Sequence, residues 1–409
     1  MKPIVDIYRI DLSSDDVTAK VDGILRKAAA RPDFGFAVFE FGSDHVFPNR
    51  LVPVIALIDN YWTAGVKAEL IFPDDGYVEK ACERIKNGTW DAGKCSITGN
   101  PFDSVWRFSD GEGVCRIVNA LVLQLRRSTV LGAGFVDSIT WCLNEVMDNV
   151  LNHSAPQGNA CGYVMVQYVP RSGRLNVCVC DWGIGILKSF EASSYNPQTT
   201  EDAIRLALSQ GVTRDRDVGQ GNGLWGLAEL IKRAKGGRLL IQSGNGVLRI
   251  PSPAKGKRPR QLFTPIDGPY PGTVVDFQLS CSADIPFESV FPEMGRLTDL
   301  WVENLEVDDQ TVRVVVKEMV AGCGTRVQGR QLRMVLENLI ERENKRIQLD
   351  FKDVTACSSS FADELLGRLV IRYGFMDFSQ RIQLIHTSGL KKGVLNRSIM
   401  QRVAEALHR

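Results

Sequence analysis

WCLNEVMDNVLNHS, residues 141–154, is the stretch from which the rest of the chain is read. Glu145, Asn149 and Asn152 recur at i, i+4 and i+7, so a helix sets them on one polar stripe. Leu143, Met147, Val150 and Leu151 supply apolar surface for packing. A Glu and an Asn one turn apart can share a site. The carboxylate polarises a water or hydroxyl, and the amide oxygen is a hard ligand suited to Mg²⁺. Alone, such a stripe is equally the solvated side of an ordinary amphipathic helix.

Two later segments change the weight of the first. In VCVCDWGIGI (177–186) a buried-looking strand ends at Asp181, followed by Gly183 and Gly185. An Asp at a strand end is an acceptor for the exocyclic amine of a base, and the glycines permit close backbone approach to a ligand. In DVGQGNGLWGLAEL (217–230), Gly219, Gly221 and Gly223 alternate and lead into a helix. Backbone N–H groups of such a loop, with the helix N-terminus behind them, can cradle phosphates. The segment is neither a Walker A sequence nor a dinucleotide fingerprint.

Taken in order and spacing, the three segments resemble the GHKL ATPase superfamily, which includes gyrase B, MutL and the histidine kinases. Glu145 and Asn149 match its N-box, Asp181, Gly183 and Gly185 its first glycine box, and Gly219, Gly221 and Gly223 its second. Gly272-Thr273 before VVDFQL looks like the Gly-Thr that helps close the adenine pocket. Trp225 departs from the pattern, standing in GLWGL where GLGL is common. The resemblance covers about 115–280 and implies an α/β sandwich (the Bergerat fold) that binds ATP with Mg²⁺. It implies that Asn149 holds the metal, Glu145 orients or deprotonates the attacking water or hydroxyl, and Asp181 accepts from the adenine amino group. It makes 187–222 a lid, with Arg214 and Arg216 as candidate phosphate contacts; a solvated lid charge is the competing reading. His153 takes a helix-end structural role.

Outward from this centre, FAVFEF (36–41), PNRLVPVIALIDNYWTAG (48–65), KAELIFPDD (68–75) and YVEKACERIKNG (77–88) predict strand, helix, strand and helix. Residues 90–110 lack a sustained period and are expected to form a linker. Helices are expected over 111–153 and 224–235, and a hairpin over 161–181. The Pro- and Lys/Arg-rich stretch 251–272 is expected to interrupt the strands, as a solvated loop. After a second boundary over 282–310, strands at 311–319, 346–354 and 381–386 alternate with helices at 330–344 and 358–374. The expected organisation is α/β multidomain: residues 1–100, 111–282 and 300–409.

IQLDFKDVTACSSSFADELLGRL (347–369) resembles STAS-like domains, and the N-terminal module is more loosely STAS-like. In anti-anti-sigma factors a Ser in an Asp-Ser-Ser-Gly turn is phosphorylated by a GHKL-type kinase. Here the turn reads Cys357-Ser358-Ser359-Ser360-Phe361, without the Asp and Gly. Ser359 and Ser360 are therefore candidate phosphoacceptors, and helix capping is the alternative use of this turn.

Lys+Arg number 49 against Asp+Glu 48 in 409 residues, so no global positive field holds a nucleic acid. MKPIVDIYRI carries charge from its start, and no uncharged apolar run reaches the length of a membrane span, so a cytoplasmic protein is expected. Ten Cys without a Cys-x-x-Cys pair read as reduced thiols. Three functions follow: an Mg-dependent ATPase switch signalling to a protein partner or a second copy, an anti-sigma-type serine/threonine kinase acting on a STAS domain, or a non-hydrolysing nucleotide-binding scaffold. A homodimer is common in the superfamily, though no residue here marks one.

Overall fold

The computed structural model describes residues 5–407 apart from 15, 31–35, 43–44, 73–75, 155–159, 192, 213–222, 235, 253–259, 286, 292–301, 303, 321, 342 and 388. The chain divides into two compact units, one of Met1–Leu121 with Ser138–Pro292, the other of Val122–Asp137 with Glu293–Arg409. Both are mixed α/β.

The first unit opens with three parallel strands, β1 (Val5–Ile10), β2 (Phe36–Phe41) and β3 (Ala68–Ile71), in the order β1-β2-β3. The helix Pro48–Thr63 between β2 and β3 buries an unbroken run from Leu51 to Ile58. A helix apolar on nearly every side needs cover on every side. One side is met by Phe39 and Phe41 of its own sheet, and another by Met165, Cys178 and Cys180 of a second sheet, all within one apolar cluster.

That second sheet has five antiparallel strands in the order β4-β5-β6-β8-β7. They are β4 (Trp106–Phe108), β5 (Gly162–Val169), β6 (Arg174–Asp181), β7 (Arg238–Ile250) and β8 (Leu262–Ser280). The expected hairpin of 161–181 is β5 and β6. Because β6 is covered on both faces, Val177, Cys178, Val179 and Cys180 are all buried, which explains an apolar run without alternation. Polar bonds tie the N-terminal elements to this sheet: Tyr163 Oη donates to Asp59 at 2.6 Å, and Arg107 pairs with both Asp59 and Asp91.

Two expectations are corrected here. Residues 90–110 are not a free linker, because Trp106–Phe108 pairs with β5 and both aromatic rings are fully buried. Nor does all of 251–272 interrupt the strands: Leu262–Pro271 belongs to β8 and pairs with β7. β6 pairs with β8 only from Val274 onward. The prolines at 265, 269 and 271 thus sit where one strand edge has no ladder to lose.

The second unit holds a sheet in the order β12-β11-β10-β9. The strands β10 (Thr311–Val315), β11 (Arg346–Asp350) and β12 (Ile382–Ile385) are parallel, and β9 (Glu306–Asp308) is an antiparallel edge. The expected strand 311–319 stops at Val315, and Val316–Met319 turns helical. The helix Arg326–Glu341 crosses between β10 and β11 and buries Leu332, Val335, Leu336 and Leu339. On it, Asn338 is fully buried: its Nδ2 donates to the Arg126 and Thr129 carbonyls, and its Oδ1 accepts from the Leu131 N–H. One amide thus holds both ends of a short turn that returns to the same unit.

Candidate functional site

The helix Phe135–His153 sets Glu145 and Asn149 on its half-exposed side, while Leu143, Val146, Met147 and Val150 are buried. Gly223, the first residue of the helix Gly223–Arg233, lies directly over the pair. A Cβ there would stand 2.7 Å from Glu145 Oε2 and 3.3 Å from Asn149 Nδ2. A side chain there would push the Glu145 carboxylate from its present place. Burial, helped by the Asp148 charge, raises the Glu145 carboxyl above its ordinary range, as suits a proton acceptor. Asn152 is exposed, and its Nδ2 donates to Asp148 Oδ2 at 2.9 Å.

Asp181 closes β6 and is 4% exposed. Its Oδ1 accepts from the Gly183 N–H at 2.8 Å, and the carboxylate also accepts from the Thr273 N–H. Burial pushes its pKa up to about 7, and those two N–H groups hold it from rising further. Glycines make room for it: a Cβ on Gly272 would lie 2.2 Å from the Asp181 carbonyl oxygen, and one on Gly183 2.7 Å from Asp181 Oδ1. Gly185 has φ +76°, and a Cβ there would meet Pro271 O at 2.8 Å.

The two clusters share the same helix. Ser154 follows its last turn, and its carbonyl accepts from the Ile184 N–H at 3.0 Å. So the helix that presents Glu145 ends against the glycine turn after Asp181. The structure therefore brings together Glu145, Asn149 and Gly223 at one end, and Asp181, Gly183, Gly185 and Thr273 at the other. Gly219, Gly221, Arg214 and Arg216 lie outside the described residues, as does the His153 side chain.

Three residues around Asp181, and one beside Trp225, escaped the sequence reading. Ser243 Oγ accepts from Ile186 N–H at 2.9 Å and donates to Gly272 O at 3.0 Å, fixing the turn to β8. Tyr270 Oη donates to the Asp181 carbonyl at 2.9 Å. Ser154 is buried, and among the described residues its Oγ has no hydrogen-bond partner. Phe291 explains Trp225: it packs edge-on to Trp225 at 6.0 Å and against Trp141 at 4.5 Å. Gly226 is needed there, since a Cβ would meet Phe291 at 2.2 Å.

A metal at the Glu145 end would find the amide oxygen of Asn149, a hard donor, with the Glu145 carboxylate one helical turn away. Among the described residues no group of three or more His, Cys, Asp or Glu is placed to hold a metal by itself. That arrangement fits Mg²⁺, which takes one or two protein oxygens and completes its shell with phosphates and water.

In the Ser-rich turn, Ser358 caps the helical segment that begins at Ser359: its Oγ accepts from Phe361 N–H at 3.0 Å and lies 3.0 Å from Ser360 Oγ. Ser359 is exposed and Ser360 half-buried.

Residues 328–391 match the family model described as a STAS-like domain of unknown function (DUF4325). No curated protein matches the chain. Among solved structures, the 43K ATPase domain of Thermus thermophilus gyrase B, in complex with an aminocoumarin, is 13% identical, with TM-score 0.19. That match covers 40% of this chain and 37% of the gyrase chain. The ATPase region of Saccharomyces cerevisiae topoisomerase II bound to ICRF-187 (dexrazoxane) is 9% identical over 66% of this chain and 85% of the other, with TM-score 0.22. A second structure of that region is 10% identical over 73% and 86%, with TM-score 0.20.

Proposed function

We propose that the chain binds ATP with Mg²⁺ along the helix Phe135–His153, with the adenine against Asp181 and the phosphates over Glu145 and Asn149. From residue 145 to residue 154 the helix rises roughly 14 Å at about 1.5 Å per residue. That leaves length for a base at one end and phosphates at the other. The observation that carries the reading is Asp181: a buried carboxylate at a strand end, held by backbone N–H groups in a cradle that any Cβ would fill. Such a group recognises a donor that arrives with a ligand.

Each residue has a physical task. Asp181 accepts from the adenine amino group. Asn149 supplies an oxygen to the metal. Glu145 orients the attacking water and takes its proton, which a raised carboxyl pKa favours. Mg²⁺ would be held here by Asn149, and would supply charge neutralisation to the phosphates. The chain then acts as an ATPase-driven switch, and its STAS-like region carries the nucleotide state to a protein partner.

A second reading, a serine/threonine kinase acting on a STAS-like turn, is favoured by one detail. Ser358 is occupied as a cap, whereas Ser359 is exposed and available. Incubation with γ-labelled ATP separates the readings. Free phosphate is expected for the switch, and label on protein that disappears in a Ser359→Ala/Ser360→Ala double variant for the kinase. Bound nucleotide with neither product would leave a non-hydrolysing scaffold.

A further inference from the structure

The second unit carries a pair of thiols that the nucleotide reading does not use. Cys323 lies in the segment between β10 and the helix Arg326–Glu341, flanked by Gly322 and Gly324. Cys357 precedes the Ser-rich turn. The Ser358 N–H donates to the Cys323 carbonyl at 2.9 Å, which fixes the two backbones side by side. The two side chains lie near enough that each shifts the proton affinity of the other. Cys323 is buried and Cys357 half-buried, so an outside reagent meets Cys357 first. Lys391 stands near both, with its Nζ donating to the Phe351 carbonyl at 3.1 Å.

From this arrangement we infer that Cys323 and Cys357 form a reversible disulfide site, with Cys357 as the sulfur that reacts with a peroxide and Cys323 as the one that resolves it. Cys357 is the better nucleophile for a physical reason. It is the more exposed of the two, and with the Cys323 side chain beside it and the Lys391 ammonium close, its thiol is held below the ordinary range. The neighbouring Cys357 and burial push the Cys323 thiol up, keeping it protonated.

The chemistry balances with one peroxide. The Cys357 thiolate attacks a peroxide oxygen, the O–O bond breaks, and hydroxide leaves, giving a sulfenic acid. The Cys323 sulfur then attacks the Cys357 sulfur, its proton leaves with the hydroxyl as water, and the S–S bond closes. Two thiols are oxidised and one peroxide is reduced. The glycines beside Cys323 leave its backbone free to adjust to the ~2 Å bond that closure makes. Closure ties the start of the helix Arg326–Glu341 to the turn that carries Ser359 and Ser360. The site stands on the second unit alone and does not depend on nucleotide binding.

The test uses the full-length reduced protein. Iodoacetamide labelling at neutral pH, followed peptide by peptide, is expected to modify Cys357 faster than the exposed Cys115. Titration with hydrogen peroxide is expected to give a peptide cross-linked between Cys323 and Cys357, lighter by two hydrogens and restored by dithiothreitol. In Cys323→Ser, dimedone is expected to trap a sulfenic acid at Cys357. In Cys357→Ser, Cys323 should survive the same dose unmodified. The inference is overturned if Cys357 labels no faster than Cys115, or if peroxide oxidises Cys115 while no 323–357 cross-link forms.

Discussion

Replacing Asp181 by Asn keeps the shape of the pocket and reverses one hydrogen bond. In the native protein the Gly183 N–H fixes Oδ1. In the variant the amide oxygen takes that position, because the NH₂ group cannot accept from an N–H. The NH₂ then occupies the place of the second carboxylate oxygen and meets the adenine amino group donor to donor. A lost hydrogen bond with a buried donor left unpaired costs roughly 1–3 kcal/mol. At about 1.4 kcal/mol per tenfold, the Kd for ATP rises about 5- to 150-fold. Native Asp181, with its pKa near 7, adds a second signature. Protonation below that value turns the acceptor into a donor, so native affinity for ATP falls as pH drops from 8 to 6, while Asp181→Asn shows a flat profile. Titration calorimetry at several pH values, with circular dichroism as the control for folding, measures both. A folded Asp181→Asn protein that binds ATP as tightly as the native one would refute the role assigned to this carboxylate.

Other outcomes follow from the same geometry. Glu145→Ala is expected to bind ATP normally and lose ~10²–10⁴-fold in turnover, read as phosphate release; full turnover would remove the proposed base. Asn338→Ala deprives two carbonyls and one N–H of a shared partner, so denaturant unfolding is expected to show a loss on the order of 3 kcal/mol; a change within error would mean water replaces the amide freely. Asp276, buried in β8, has its carboxyl pKa pushed up to about 7 by burial. Its folded-state value lies above the unfolded one, so its contribution to stability is complete below about pH 4 and is lost as pH rises through 7. That loss is on the order of 4 kcal/mol at about 1.4 kcal/mol per pH unit, and Asp276→Asn is expected to remove it. Parallel unfolding curves for the two proteins from pH 5 to 8 would contradict this.

Much of the site was legible because its residues fall in short segments with fixed spacing. The i, i+4 relation of Glu145 and Asn149 puts them on one helix side, and β6 ends at Asp181 as its apolar run implies. What stayed hidden depends on partners far along the chain. Ser243 and Tyr270 reach the Asp181 turn only because β7 and β8 pair beside β6, a registration that no local pattern states. Trp225 looked like an intruder until Phe291, from beyond the last strand of the sheet, gave it a ring to pack on. Local signals misled where edges were concerned. Trp106 and Phe108 make a strand of three residues, too short for alternation to register among Gly, Asp and Ser. The prolines of 262–271 suggested a loop, yet a two-stranded arm tolerates them on its open side. In the second unit the parallel strands were readable from short apolar runs rich in Val, Ile and Leu, whereas the stop at Val315 reflects the helical turn that follows, which β-propensity alone does not foresee.

The most direct measurement is calorimetric titration of the purified full-length protein with ATP, in millimolar Mg²⁺ and again in EDTA. The account predicts saturable binding of one ATP per chain, weakened by EDTA and by Asp181→Asn, with GTP bound less well because it offers an oxygen where adenine offers its amino group. Absence of binding at millimolar ATP, or equal affinity for ATP and GTP, would contradict it.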